Sequence, residues 1–334
     1  MKEYVDQVVP WLERKEKIAL ARVIKTWGSA PRPVGACMFI SETGAMIGSV
    51  SGGCVEGAVV RSAQNCLATG TAKVFHFGIA DADAWAVGLS CGGQLDVLVQ
   101  PFEGALLDLL KMPLQEGAAL VTNLSTGENF LLPKLNHTQF NNLPITGAVG
   151  EAWANRKSTV VEIGSDLYFI HLFAKPSTLL LVGAVHVAAE LTKLAPAFGF
   201  ETIVIEPRRA FAQSTVFNPR PNKILENYPS EVLPGMDLHD HTFAVILSHD
   251  PKIDDDALRI LLRSSVGYMG ALGSKKNHEK RCERLKSEGF SEVELCRIHA
   301  PVGVNIGAVG AKEIALSILA EVVGVRNGVG MRFV

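Results

Sequence analysis

Residues 178–206 read TLLLVGAVHVAAELTKLAPAFGFETIVIE. One apolar run (179–182) stops at Gly183, and a second (202–205) stops at Glu206. Between them, AVHVAAELTKLAPAFGF (184–200) reads as a helix. Side chains along a strand alternate between two faces, so a strand that is apolar throughout is buried on both. A strand, a helix of about 10–15 residues and a second strand form a βαβ unit, whose strands are parallel. The pattern continues in FAVILSHD (243–250), SVGYMGAL (265–272) and CRIHAP (296–301), with helical stretches at 253–264, 275–288 and 311–323 between and after them. The second half is therefore expected to be a Rossmann-like, doubly wound parallel sheet.

Upstream the pattern changes. KIALARVIKT (17–26) reads as a strand, and ACMFIS and AMIGSV form a hairpin about Glu42-Thr43-Gly44. CVEGAVVRSAQNCLATG (54–70) reads as a helix, and AKVFHFG and QLDVLVQPF as further strands. In the last of these Leu95, Val97 and Val99 alternate with Asp96 and Gln100, which predicts a sheet with one wetter face. The pattern weakens over 105–175. A helix near 104–112 and the strands AALVTNL and NFLLPKL are read as the remainder of the first domain plus a connection. Ala174-Lys175-Pro176-Ser177 is the best boundary, giving a mixed α/β domain over 1–175 and the Rossmann-like domain over 176–334.

The 334 residues suit two domains, and 48% hydrophobic residues supply ample core. Thirty-two Lys+Arg against 34 Asp+Glu leave a net charge of −2, without the basic excess of a nucleic-acid binder. No apolar stretch approaches the ~20 residues of a membrane span. The opening MKEYVDQVVPWLERKEK has no signal-peptide core, so a cytoplasmic location is expected, with the six cysteines as thiols.

Three strand-to-helix turns are candidates for ligand binding, because open α/β sheets bind ligands beyond the carboxyl ends of their strands. The first runs from Gly183 through Ala184, Val185, His186 and Val187 to Ala188, with Glu206 in the place of a ribose-binding acid. Val185 replaces the glycine that lets the backbone approach a pyrophosphate, so NAD(P) is disfavoured. The second carries Gly270, Gly273, Ser274, Lys275 and Lys276 at a helix start, a plausible anion site. The third runs from His299 through Pro301, Asn305 and Gly307 to Ala308. All three are expected to line one pocket.

Two cysteines sit in glycine loops, Ser51-Gly52-Gly53-Cys54-Val55-Glu56 and Gly88-Leu89-Ser90-Cys91-Gly92-Gly93. Cys54 falls at a predicted helix start, where the dipole favours a thiolate, while Glu56 opposes it. The competing reading is a small hydrophobe in a tight turn. Cys54 and Cys91 are expected near one another, in a cleft facing the second domain. Cys37, Cys66, Cys282 and Cys296 read as core or incidental. His239-Asp240-His241 reads as a solvated loop and no metal site is assigned.

At these motifs the chain resembles the XdhC/CoxI family of xanthine dehydrogenase accessory proteins. The likeness runs through Gly28-Ser29-Ala30-Pro31-Arg32-Pro33-Val34-Gly35, both cysteine loops, the Rossmann turn, His249-Asp250-Pro251-Lys252-Ile253-Asp254-Asp255, the 270–276 turn and 299–308. It departs from the family at Val185, at Asn305 (usually Asp) and at Gly310-Ala311 (usually Thr-Pro). The resemblance implies a maturation factor for a molybdenum hydroxylase, a cofactor-binding chaperone rather than a catalyst with its own turnover. Such a protein binds molybdenum cofactor transiently, assists its sulfuration with a cysteine desulfurase as donor, and inserts it into the apo-enzyme. Cys54 and Cys91 would handle sulfur or molybdenum. Gly183, Val185, His186, Glu206, Gly270, Gly273, Ser274, Lys275, Asn305 and Gly307 would line the cofactor site, and a homo-oligomer is compatible with this role. The competing function is an NAD(P)-dependent oxidoreductase built on the Rossmann domain.

Overall fold

The computed structural model describes residues 1–78, 93–111, 117–133, 145–213 and 216–329. They form two compact units, Met1–Lys175 and Pro176–Val334.

In the first unit α1 (Val5–Glu13) precedes β1 (Ile18–Trp27), β2 (Cys37–Ser41), β3 (Met46–Gly48), α2 (Glu56–Thr69), β4 (Lys73–Phe77) and β5 (Gln94–Pro101). The strands build an antiparallel sheet in the order β3-β2-β1-β5-β4. α2 ends at Gly70, whose left-handed φ of 72° suits a residue without Cβ. Next come α3 (Ala105–Lys111), β6 (Ala118–Asn123), β7 (Asn129–Pro133), α4 (Thr146–Ala154), β8 (Thr159–Ile163) and β9 (Asp166–Phe173). The segment is the remainder of the first domain, as read, but in place of a connection it supplies a second antiparallel sheet, β7-β6-β9-β8.

The two sheets share a core. Leu20 and Phe39 cluster with Ala118 and Leu120, and Ile24 and Leu98 with Phe169. α2 covers the outer face of the first sheet through Val59, Ala63 and Cys66, and α4 that of the second through Val149 and Ala152. The wetter face expected on β5 is therefore absent: Asp96 and Gln100 are 8% and 2% exposed, because the second sheet covers them. Arg22 projects into the same core and is completely buried. Its Nη2 donates to Gln100 Oε1 (2.7 Å) and Thr122 Oγ1 (2.6 Å), and its guanidinium lies over the Phe169 ring at 5.4 Å. Among the described residues no carboxylate meets it, and Nε and Nη1 lack partners.

The second unit contains β10 (Ser177–Val182), α5 (His186–Leu194), β11 (Phe200–Ile205), α6 (Arg209–Ala212), β12 (Lys223–Leu225), α7 (Pro229–Val232) and β13 (Thr242–Ile246). It continues with α8 (Pro251–Leu261), β14 (Tyr268–Ala271), α9 (Lys275–Ser287), α10 (Glu292–Leu295), β15 (Ile298–His299) and α11 (Ala311–Arg326). Its six strands are all parallel, in the order β12-β11-β10-β13-β14-β15. Successive strand residues feed opposite cores. Leu179, Leu181 and Val245 pack with α5 and α11, whereas Leu180, Val182 and Ile246 pack with α8 and Leu285 of α9. This two-sided burial is the Rossmann-like, doubly wound arrangement expected from TLLLV. Because every strand runs the same way, the turns after β10, β11, β13, β14 and β15 all lie on one sheet edge. Among the described residues no helix is long and apolar enough to cross a membrane.

Candidate functional site

In the first unit, α2 begins at Glu56, two residues after Cys54. The preceding loop closes around the Glu56 carboxylate. Ser49 Oγ (2.6 Å) and the N–H groups of Val50 (3.2 Å), Ser51 (2.9 Å) and Gly52 (3.1 Å) donate to Oε1. Ser51 Oγ and the Gly53 N–H donate to Oε2. Ser51 Oγ in turn accepts the N–H groups of Cys54 and Val55, both at 3.0 Å. Burial works to raise the carboxyl pKa, but the Ser49 and Ser51 hydroxyls and backbone N–H groups outweigh it, and the pKa falls to about 2. The charge expected to oppose a Cys54 thiolate is thus engaged by the loop's own donors.

Gly52 and Gly53 have φ of 79° and 118°, and a Cβ on either would meet nothing within 4 Å. The loop beside the half-buried Cys54 is therefore open. Gly93 is a close-approach glycine, since its Cβ would lie 2.9 Å from the backbone of Ser29 and Ala30. Cys91 lies outside the described residues, and with it the expected pairing to Cys54. Cys37 and Cys66 are core residues, whereas Cys296 is exposed and lines a pocket.

In the second unit, Gly183 keeps the role of a fingerprint's first glycine. Its φ is 107°, and a Cβ there would sit 2.6 Å from the backbone nitrogen of Ser248. Val185 caps α5 in extended conformation and packs partly onto the core, and His186 after it is exposed. Glu206 is not where a ribose could use it. It is completely buried, with its Oε2 accepting the Ala184 N–H (2.8 Å) and Arg208 Nη2 (2.8 Å). Its Oε1 accepts the N–H (3.0 Å) and Nε (2.7 Å) of Arg208. Burial pushes its pKa up, and these donors together hold it below the usual value.

The other two turns do meet. A cavity of about 700 Å³ is lined by Leu272 and Lys275 from one side and by Cys296, His299 and most of 300–308 from the other. Among the described residues 183–188 contribute nothing to its lining; that turn packs on the one after β13. Gly270 is buried, and a Cβ there would strike Val302 and the Tyr268 hydroxyl, so it serves packing. Gly273 has φ of 138°, and Ser274 Oγ caps α9 by accepting the Asn277 N–H at 3.2 Å. Asn305 is exposed in the lining, its Oδ1 accepting the Gly307 N–H at 3.3 Å.

A carboxylate at the back of this pocket escaped the sequence reading. Glu321, 6% exposed on α11, accepts the Tyr268 hydroxyl (2.8 Å) and the Gly303 N–H (2.6 Å) at Oε2. Its Oε1 lies 2.8 Å from His299 Nδ1. Burial raises the Glu321 pKa, but His299, Gly303 and Tyr268 outweigh it and the net shift is downward. Burial, with Glu321 beside it, drives the Tyr268 phenol well above its ordinary value. The sequence did carry a signal: Glu321 is an acid on the face of α11 that otherwise buries Ile318, Leu319 and Val322. His239 and His241 lie in a loop, His239 Nδ1 accepting the His241 N–H at 3.1 Å. Among the described residues no three His, Cys, Asp or Glu side chains gather as metal ligands would.

The chain matches known proteins in both units. Residues 11–78 fit the XdhC and CoxI family, and residues 179–322 fit the XdhC Rossmann domain. A protein of Bacillus subtilis (strain 168) named as a probable xanthine dehydrogenase subunit is 28% identical over 96% of each chain. The molybdenum cofactor insertion chaperone PaoD of Escherichia coli (strain K12) is 26% identical over 92% of this chain and 83% of its own. A crystal structure of a xanthine dehydrogenase from Bacillus halodurans shares the fold, with a TM-score of 0.72 at 23% identity over 99% of this chain and 97% of that one. With both units matched in family order, the chain belongs to the XdhC/CoxI family.

Proposed function

We propose that this chain is a maturation factor for a molybdenum hydroxylase, holding molybdenum cofactor as cargo and passing it to the apo-enzyme. The reading is supported by relatives named as a cofactor insertion chaperone and as part of a xanthine dehydrogenase. The observation that carries it is the Cys54 loop, with open space at Gly52 and Gly53 and a backbone tied to Glu56. A thiolate on a fixed, accessible loop is a soft ligand suited to molybdenum and a nucleophile suited to sulfur transfer. In sulfuration, Cys54 would attack the outer sulfur of a desulfurase persulfide. The donor thiol leaves, and the sulfane sulfur stays on Cys54 for the cofactor. Cys91 is included in this reading as the second thiol.

In the second unit, Lys275 and the loop around Asn305 suit the cofactor's phosphate. The engagement of Glu206 with Arg208 weighs against a ribose hydroxyl at Glu206, and so against an NAD-dependent oxidoreductase. We place the activity in the cytoplasm, where the thiols stay reduced.

The test is Cys54→Ala. Cofactor retention and reconstitution of an apo-hydroxylase are expected to fall while thermal melting holds. Unchanged retention with lowered melting would return Cys54 to a packing role.

A further inference from the structure

We infer that His299 is a proton-accepting residue for a ligand bound in the second-unit pocket, a planar weak acid that also carries an anionic group. The argument starts from the imidazole's two nitrogens. Nδ1 is committed to Glu321 at 2.8 Å, and the ring is tilted against Tyr268 with centroids 4.7 Å apart. Nε2 has no protein partner among the described residues, and the His299 side chain is 27% exposed where it lines the cavity. A histidine whose Nδ1 donates to a buried carboxylate is held in one orientation and presents its Nε2 lone pair as an acceptor to the cavity.

The rest of the lining defines the ligand. Ile298, Val302, Val304 and Ile314 offer apolar surface to a flat body. Lys275 is the cation in the lining and faces no ion-pair partner among the described residues. Glu321 is already occupied by three donors. The groups that share this environment with the imidazole are Glu321 from α11, Tyr268 from β14, Lys275 from α9 and Cys296 just before β15. The step is a simple proton transfer, in which the ligand's acidic N–H gives its proton to Nε2. The ligand becomes the anion, and Lys275 compensates its charge. A pterin lactam and a uracil-type lactam both have this chemistry. The pterin source rests on the function proposed above.

The experiment titrates the full chain at pH 7 with pterin-6-carboxylate, whose absorption spectrum distinguishes the lactam from its anion. Saturable binding with the anion spectrum is expected. In His299→Phe, which keeps a ring against Tyr268, binding should weaken about tenfold and the spectrum revert to the lactam. Failure to bind, or an anion spectrum that persists in His299→Phe, would overturn the inference. Uridine monophosphate as competitor separates the sources: displacement supports recognition of any acidic lactam with an anion, and no displacement supports the pterin. If the spectral change holds while His299→Phe still matures the hydroxylase, the site stands and its link to the proposed function falls. If maturation fails without any spectral change, this inference falls and that function stands.

Discussion

Glu56 and Glu321 are both buried carboxylates held below their usual pKa by hydrogen bonds, yet they do different work. The donors to Glu56 all come from residues 49–53, so its charge is spent closing one loop. Glu321 draws its donors from Tyr268, His299 and Gly303, 53, 22 and 18 residues before it, and two of them, His299 and Gly303, line a cavity. The difference teaches that a buried acid marks a site only when one of its partners leads outward. A carboxylate satisfied by its own loop shapes the backbone, whereas one that grips a half-exposed imidazole sets that ring's tautomer and orientation.

Glu56→Ala should break the comparison most visibly. It strands six donors in and around a buried loop, and about 4 kcal/mol of stability should be lost in urea unfolding. A loss below about 1 kcal/mol would show that the loop holds its shape without the carboxylate.

Acid titration asks the same question without mutation. The folded pKa of about 2 lies below the ordinary 4.5, so the unfolded chain binds the proton more tightly. The Glu56 contribution is fully present above pH 4.5 and disappears as pH falls toward 2, a change of about 3 kcal/mol. Glu56→Ala should flatten this part of the stability profile, and an unchanged acid limb in the variant would assign it to other carboxylates.

Gly303→Ala probes the second network. With φ of 99° and Ser317 Oγ only 2.2 Å from the would-be Cβ, about 2 kcal/mol should be lost and the N–H contact to Glu321 loosened. A crystal structure of the variant with that contact intact would show the backbone absorbing the clash. His299→Phe should cost least, about 1 kcal/mol, because Glu321 Oε1 loses its donor while the ring contact with Tyr268 is kept. A large drop in melting temperature would mean that His299 is a structural member of its network, as Ser51 is of the other.

The parallel sheet was legible because two-sided burial leaves continuous apolar runs, and the turns followed from glycines at their ends. Gly183 needs its φ of 107° and its close approach to Ser248 even though Val185 breaks the rest of the fingerprint. Of the second sheet of the first unit, β6 and β7 were read as strands, whereas β8, β9 and their assembly into one sheet were not legible. The pattern of its strands is interrupted by residues such as Thr122 and His171, polar yet buried. Arg22 was invisible for the same reason: a charge within a strand normally marks a wet face, and here that face meets Gln100, Thr122 and Phe169.

Local sequence by itself determined the strand-and-helix alternation, the capped turns, the Ser-Gly-Gly-Cys loop and the family likeness, all of which depend on neighbours within a few positions. The partners of those groups were decided only by tertiary structure. Glu206 bonds Arg208 and the Ala184 N–H because β10 and β11 lie side by side in register, which removes it from any ribose. Tyr268, His299, Gly303 and Glu321 converge because the parallel sheet brings the ends of β14 and β15 together beneath α11. A hydrogen bond needs its atoms about 3 Å apart, and across 53 residues of chain, as between Tyr268 and Glu321, only the packed fold can set that distance.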